Sequence, residues 1–274
     1  MKFAYKHILS NVLQNLNTND LSEKLFQLGH EHEFNDEIID VELTPNRGDC
    51  LSLNGILRDL NLFYNIKSNH SIYKEDIKKL DFNFTNKAVS DCPRVSFLKI
   101  EIENPTEDYN KELESYFSDL GVKKNNFFTD ISNYVSYETG QPTHCYEASE
   151  VCDGLTLDYF EGEEKFETLL GKTIELNDRN LVFLNKKNEI VNLAGIVGSM
   201  STSCKKTTKS VIVECAYFNP EAIIGKSVKY ALNSEAAHKF ERNVDPACHE
   251  FTLRRFIKIV EEHATIKKLE ALFI

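Results

Sequence analysis

The run Val211-Ile-Val-Glu-Cys-Ala216 constrains this chain more than any other stretch. Its apolar, β-branched character predicts a strand over 210–217. Glu214 then puts a carboxylate where burial is costly unless the group is partnered or used. Further strands are predicted at 94–103, 155–160, 181–184 and 190–196, separated by turns rich in Asn, Asp, Gly and Lys. Helices are predicted over 106–120, closed by Gly121, and over 130–139, closed by Gly140. Asn219-Pro220 opens another that runs to about Tyr230, and Asp245-Pro246 opens a last one carrying Phe251, Phe256, Ile259 and Val260. The predicted class is α+β, with helices packed on a mixed, mostly antiparallel sheet.

The first segment reads differently. Leu21, Leu25 and Leu28 share one face of a helix that begins near Thr18 and stops at Gly29. A strand at 38–43 leads into the loop Thr44–Cys50, which opens a helix with Leu53, Ile56, Leu57, Leu60 and Phe63 on its apolar stripe. Residues 66–80 are polar and Lys-rich, and read as a linker or a short solvated helix. A boundary near 80–90 therefore divides the 274 residues into a small helical N-terminal domain, 1–85, and a sheet domain, 86–274.

Charge narrows the partners. The net charge is −11, which argues against non-specific nucleic-acid binding driven by phosphate neutralisation. The acidity is local: residues 91–200 carry 10 basic and 21 acidic side chains, whereas residues 201–274 carry 12 and 9. A basic face in the last quarter, with Lys205, Lys206, Lys209, Lys226 and Lys229, is the alternative to a set of solvated lysines. The seven cysteines, at 50, 92, 145, 152, 204, 215 and 248, fit neither a disulfide framework nor a zinc knuckle and are read as free thiols, Cys145 and Cys215 as small buried apolar groups. The histidines at 30 and 32 read as surface residues, and no metal site is expected. No secretory signal and no membrane-length apolar run is visible, so a soluble, cytoplasmic protein is expected.

Several strings are specific in combination: Thr44-Pro-Asn-Arg-Gly-Asp-Cys-Leu51, Ile131-Ser-Asn-Tyr-Val135, Gly140-Gln-Pro-Thr-His144, Leu193-Ala-Gly-Ile-Val-Gly198, Val213-Glu-Cys-Ala-Tyr-Phe218, and the run from Ser234 to Pro246. In this order and spacing the chain resembles the N-terminal part of the bacterial phenylalanyl-tRNA synthetase beta subunit. The resemblance implies that 1–85 is the first domain of that subunit, without its OB-fold insert, and that 86–274 is its B3/4 tRNA-binding and editing domain. The C-terminal half of the subunit has no counterpart here, and a naturally compact relative is the expected explanation, with a partial chain as the alternative.

The implied function is editing: hydrolysis of the aminoacyl ester of mischarged Tyr-tRNA for phenylalanine. A cavity rejects an added hydroxyl weakly, but a second pocket that hydrogen-bonds it selects the error. The resemblance assigns Glu214 as acceptor of the tyrosyl hydroxyl, His144 as the group placing ester and water, and Asn133 near the substrate's amino and ester groups. It implies substrate contacts from Gly195, Ala236, Ser234, Ser132, Lys123 and Pro142. Without it, Glu214 could point outward, His144 could be a loop histidine bonded to backbone, Asn133 a helix-surface amide, Gly195 a strand bulge and Ala236 a plain helix alanine. Lys123 stands where the family has arginine, Ser132 and Ser234 where it has threonine, and Ser199 and Asn243 where it has glycine. The implied partners are a tRNA acceptor end carrying an aromatic amino acid and a synthetase alpha subunit, with no membrane. Editing implies no cofactor; ATP and magnesium belong to the ligase holoenzyme, since no class II catalytic motif or phosphate loop is present. Two other readings stay open: a non-catalytic tRNA-binding or assembly module, and a generic α+β ligand-binding domain.

Overall fold

The computed structural model describes residues 1–67 and 71–274. The first segment forms strand β1 (Lys2–Ala4), helices α1 (Tyr5–Leu9) and α2 (Thr18–Gln27), strands β2 (Glu31–Asn35) and β3 (Ile38–Glu42), and helix α3 (Leu53–Leu60). The Asn17 side chain accepts the Asp20 N–H at the start of α2, and Gly29 takes a left-handed φ of 78° just past its end. To the expected helices the structure adds an antiparallel sheet of order β1-β3-β2. The stretch read as a linker or solvated helix shows no helix over 71–80, only the short strand β4 (Lys78–Lys79); its residues 68–70 lie outside the described residues.

The chain continues through β5 (Phe84–Asn86), β6 (Arg94–Ile102), α4 (Lys111–Leu120), α5 (Phe127–Thr139), β7 (Thr143–Glu147) and β8 (Leu155–Glu161). A hairpin of β9 (Glu164–Glu167) and β10 (Thr173–Leu176) precedes β11 (Arg179–Leu184), β12 (Ile190–Leu193), β13 (Val197–Gly198) and β14 (Ser210–Tyr217). Short helices α6 (Pro220–Ile223), α7 (Lys226–Lys229) and α8 (Glu235–Phe240) lead to the long α9 (His249–His263) and a final strand β15 (Ile266–Phe273).

Two five-stranded sheets dominate, of order β4-β15-β6-β14-β7 and β13-β12-β11-β8-β5. Strand β14 is central in the first, and its alternation sorts its side chains into two cores. Val211, Val213 and Cys215 join the core built with α5, α9 and the N-terminal helices. Ile212 and Ala216 face the second sheet. Burial on both faces is why this strand reads as a continuous apolar run rather than an alternating one. Cys145 and Cys215 are buried, as expected of them.

Several expected boundaries move, each for a local reason. Helix α4 starts at Lys111 rather than 106, because Asn110 caps it by accepting the Leu113 N–H. Helix α5 starts before Asp130, capped by Asn126. The strand expected over 190–196 stops at Leu193, where Gly195 turns the chain with a φ of 71°. The helix expected to run from Asn219-Pro220 to Tyr230 is two short pieces, broken at Gly225 with a φ of 79°. Asp245-Pro246 lies in the turn before α9, which begins at His249.

Candidate functional site

Strands β7 and β14 pair antiparallel with His144 directly opposite Glu214. Directly opposed residues share a face of the sheet, so both groups point toward the second sheet. From that sheet β12 presents Asn192, and the turn and strand that follow present Gly195 and Gly198. Helix α8 closes the space with Ala236 and Phe240. The result is a small cavity of about 60 Å³ between the layers.

Glu214 is 5% exposed, so the outward-pointing alternative does not hold. Its Oε2 accepts from the Tyr146 hydroxyl at 2.5 Å and from Asn192 Nδ2 at 3.4 Å, and Asn192 also donates to the Tyr146 oxygen at 2.8 Å. These partners are neutral. Burial pushes the Glu214 carboxyl up to about 7, against the two hydrogen bonds. The carboxyl therefore holds a proton part of the time at neutral pH.

His144 sits edge-on to Tyr146, ring centroids 4.4 Å apart. Its Nε2 is buried and has no hydrogen-bond partner among the described residues. Burial pulls the imidazole down to about 4, so it is neutral at pH 7. Gly198 makes room for it: a Cβ there would overlap the ring.

Five of the expected residues line this cavity: His144, Glu214, Gly195, Ala236 and Pro142. Two others stand behind the wall. Ser132 Oγ donates to the Thr143 carbonyl at 2.8 Å, and Ser234 caps α8 while donating to the Ile196 carbonyl at 2.6 Å. Asn133, half-buried on α5, and Lys123, exposed after α4, are not part of the lining. Gly195 is shaped by packing as well as by its φ, since a Cβ would lie 2.6 Å from Ile223 Cδ1 and 3.1 Å from Phe218 Cδ2. Asn243, where the resemblance has glycine, holds a left-handed φ of 69° that asparagine tolerates. Tyr146 and Asn192 belong to this candidate site and were not singled out in the sequence, whereas Gly198 was read there only as the end of the Leu193–Gly198 string. Tyr146 follows His144 by two, a signal usable only once β7 is known to be a strand.

The basic residues of the last quarter are mostly engaged locally. Lys206 pairs with Glu107 at 2.7 Å and Lys229 with Asp178 at 2.5 Å. Lys226 donates to the Arg179 carbonyl at 2.6 Å and Lys209 to Asn104 Oδ1 at 2.9 Å, while Lys205 is exposed.

One cluster elsewhere has metal-ligand chemistry. His30, Cys50 and Asp59 bring three donor atoms within 4.8 Å of one another. His30 is 3% exposed, so it is a buried residue and not the surface histidine expected. Arg47 Nη2 already lies 2.5 Å from Asp59 Oδ2 and 2.7 Å from Cys50 Sγ, so a guanidinium supplies the cation at this cluster. Burial acts to raise the Asp59 carboxyl, but hydrogen bonds from Arg47 and Arg58 outweigh it and hold it at about 2. Burial and the neighbouring carboxylates push the Cys50 thiol up to about 12.

Among the described residues no helix is long and apolar enough to cross a membrane. The B3/4 domain family matches residues 91–265. The phenylalanine–tRNA ligase beta subunit of Psychrobacter arcticus is 31% identical over 232 residues, covering 82% of this chain and 28% of the relative. That of Aquifex aeolicus is 33% identical over 218 residues, 77% of this chain and 27% of the relative. The chain thus spans less than a third of the length of these curated relatives. An N-terminal fragment of the phenylalanyl-tRNA synthetase beta subunit from Pyrococcus horikoshii superposes with a TM-score of 0.43 at 11% identity, over 89% of this chain and 73% of the fragment.

Proposed function

The chain belongs to the B3/4 domain family, and from that premise we propose that it is an editing module which hydrolyses Tyr-tRNA mischarged on the tRNA for phenylalanine. In this reading residues 1–85 are a first domain of the synthetase beta-subunit type, and residues 86–274 hold the acceptor end of the tRNA. The carrying observation is Glu214, a buried carboxylate held by neutral donors at a cavity wall. Both of those hydrogen bonds fall on Oε2. Oε1 is then the acceptor for a tyrosyl hydroxyl, a group that phenylalanine lacks. A site built around that hydrogen bond separates the two amino acids far better than shape alone.

The chemistry needs no covalent intermediate. Water adds to the ester carbonyl carbon, the bond to the ribose oxygen breaks, and one water proton ends on that oxygen. Tyrosine leaves, and its new carboxyl group releases the other proton to solvent. Neutral His144, with Nε2 unpaired, can take a proton from the water and return it to the leaving oxygen. The ribose hydroxyl beside the ester assists by orienting the water. ATP and magnesium are assigned to the ligase as a whole, since the sequence carries no class II catalytic motif and no phosphate loop.

That volume also carries a requirement. A benzene-sized ring occupies a cavity of about 150 Å³, so tyrosine enters only if Phe240 or the six-residue helix α8 moves outward. The tightness favours a second reading, a non-catalytic tRNA-binding or assembly module that works beside a synthetase alpha subunit. Incubation with tyrosyl-tRNA for phenylalanine separates the two. The editing reading expects tyrosine release that a Glu214→Ala, His144→Ala double variant lacks. Equal release by both proteins sinks it. Sedimentation of the chain with an alpha subunit then tests the assembly reading, which requires a stable complex.

A further inference from the structure

Helices α1, α3, α4 and α5 enclose a second cavity, of about 550 Å³. This is within the range of small-molecule sites. It shares no lining residue with the cavity at Glu214 and lies on the side of the helical core. Its apolar wall is Leu53 and Leu57 from α3 with the rings of Tyr134 and Tyr137 from α5.

The hydroxyl groups of this wall are already committed. Tyr137 shares its hydroxyl with His7 Nδ1 at 2.8 Å, Tyr134 donates to Glu112 Oε1 at 2.6 Å, and Ser115 donates to Asp119 at 2.6 Å. Asn54 is different: its Oδ1 is buried with no hydrogen-bond partner among the described residues. An acceptor is left wanting a donor.

The charges point the same way. Glu138 takes Arg255 through Nε at 2.7 Å and Nη2 at 2.9 Å, and Glu112 Oε1 takes the same Nη2 at 3.0 Å. Two carboxylates thus share one guanidinium, which leaves the cluster one cation short. Arg255 and Glu138 are almost fully buried, whereas the Glu112 side chain is 54% exposed, so the excess negative charge is presented at the cavity mouth. Neither lysine of the lining meets it in an ion pair among the described residues. Lys6 lies 3.8 Å from Asp119 instead, and Lys111 is exposed.

We propose that this cavity binds a small molecule carrying an ammonium group on an apolar or aromatic stem. The ammonium pairs with Glu112, and the stem lies on Leu53, Leu57 and the tyrosine rings. The site is independent of the editing reading.

Benzylamine, benzyl alcohol and benzoate share a ring and differ in charge, and calorimetric titration of the whole chain at neutral pH and low salt compares them. Benzylamine is expected to bind about tenfold or more tighter than benzyl alcohol, benzoate to bind worst, and added salt to weaken the amine. Glu112→Gln is expected to cost benzylamine about tenfold in affinity, and Leu57→Phe, which fills the apolar wall, to weaken it as well should the first variant fold poorly. His144→Ala, at the other cavity, leaves the titration unchanged. Benzoate binding best would show that Lys6 and Lys111 govern the site, and would overturn the proposal. Equal affinity for all three, or no heat with millimolar benzylamine, would overturn it too.

Discussion

Asp59 and Glu214 are both withdrawn from solvent, yet their surroundings drive the proton in opposite directions. Asp59 is gripped by Arg47 and Arg58 and touches His30 at 3.1 Å, and its carboxyl sits at about 2. Glu214 has only the hydroxyl of Tyr146 and the amide of Asn192, and sits at about 7. A carboxylate met by cations is finished as a structural part, here fastening the Thr44–Cys50 loop to α3. One met by neutral donors keeps an unmet demand that a proton or a ligand hydroxyl can satisfy.

The largest expected effect tests the finished half of that contrast. Asp59→Ala takes from Arg47 and Arg58 the more buried of the two carboxylates they share, leaving only the more exposed Asp49, and is expected to destabilise the chain by about 3 kcal/mol, read by urea unfolding at pH 7. Because the folded carboxyl is depressed below its ordinary 3.8, its contribution is present above that value and disappears as the pH falls through about 2. A loss no larger than that of a surface aspartate would show that the loop holds itself.

Glu214→Gln reverses the sign. The wild-type carboxyl is raised in the folded state, so stability is full below about 4.5, falls as the pH rises toward 7, and then levels. Glutamine keeps an acceptor for Tyr146 and has no charge to bury. The variant is expected to match the wild type at pH 4 and to exceed it by roughly 2–3 kcal/mol at pH 8. Unfolding curves at the two values check this, and a variant less stable at pH 8 would mean that the ionised carboxylate is well solvated. The smallest effect belongs to Asn192→Ala, which removes a donor 3.4 Å from Glu214. The midpoint of the same pH profile should move slightly upward, and a downward move would break the assignment of Asn192 as a stabiliser of the charged form.

Much of the frame was legible because single residues carry it. Gly29, Gly121 and Gly140 each end a helix with a left-handed φ, a conformation that costs other residues more. β14 could be read from its apolar run alone. Strand β7 could not: Thr143–Glu147 is short, mixed in polarity, and defined by its pairing with β14. Strand β15 is likewise made by its partners, since Ile266–Phe273 carries two lysines and a glutamate and is held along β6 over most of its length and against β4 at Glu270 and Ala271. The site followed the same division. Glu214 stood out by its apolar strand and His144 only through the resemblance, while Tyr146 and Asn192 act across two sheets, and nothing local marks them. His30 was misjudged because its burial depends on Asp59, 29 positions later.

The pairing of His144 with Glu214 has a consequence for how this site can vary. A strand changes face with every residue, so one residue inserted between Pro142 and His144 would turn the imidazole into the helical core and bring a neighbour to the cavity in its place. Such an insertion barely alters composition, and the strand could still pair. Single replacements at the wall are graded in their effects, whereas a length change in β7 is all or nothing. Relatives that differ in the spacing from Gly140 to His144 would thus be expected to lack the cavity chemistry however similar their residues.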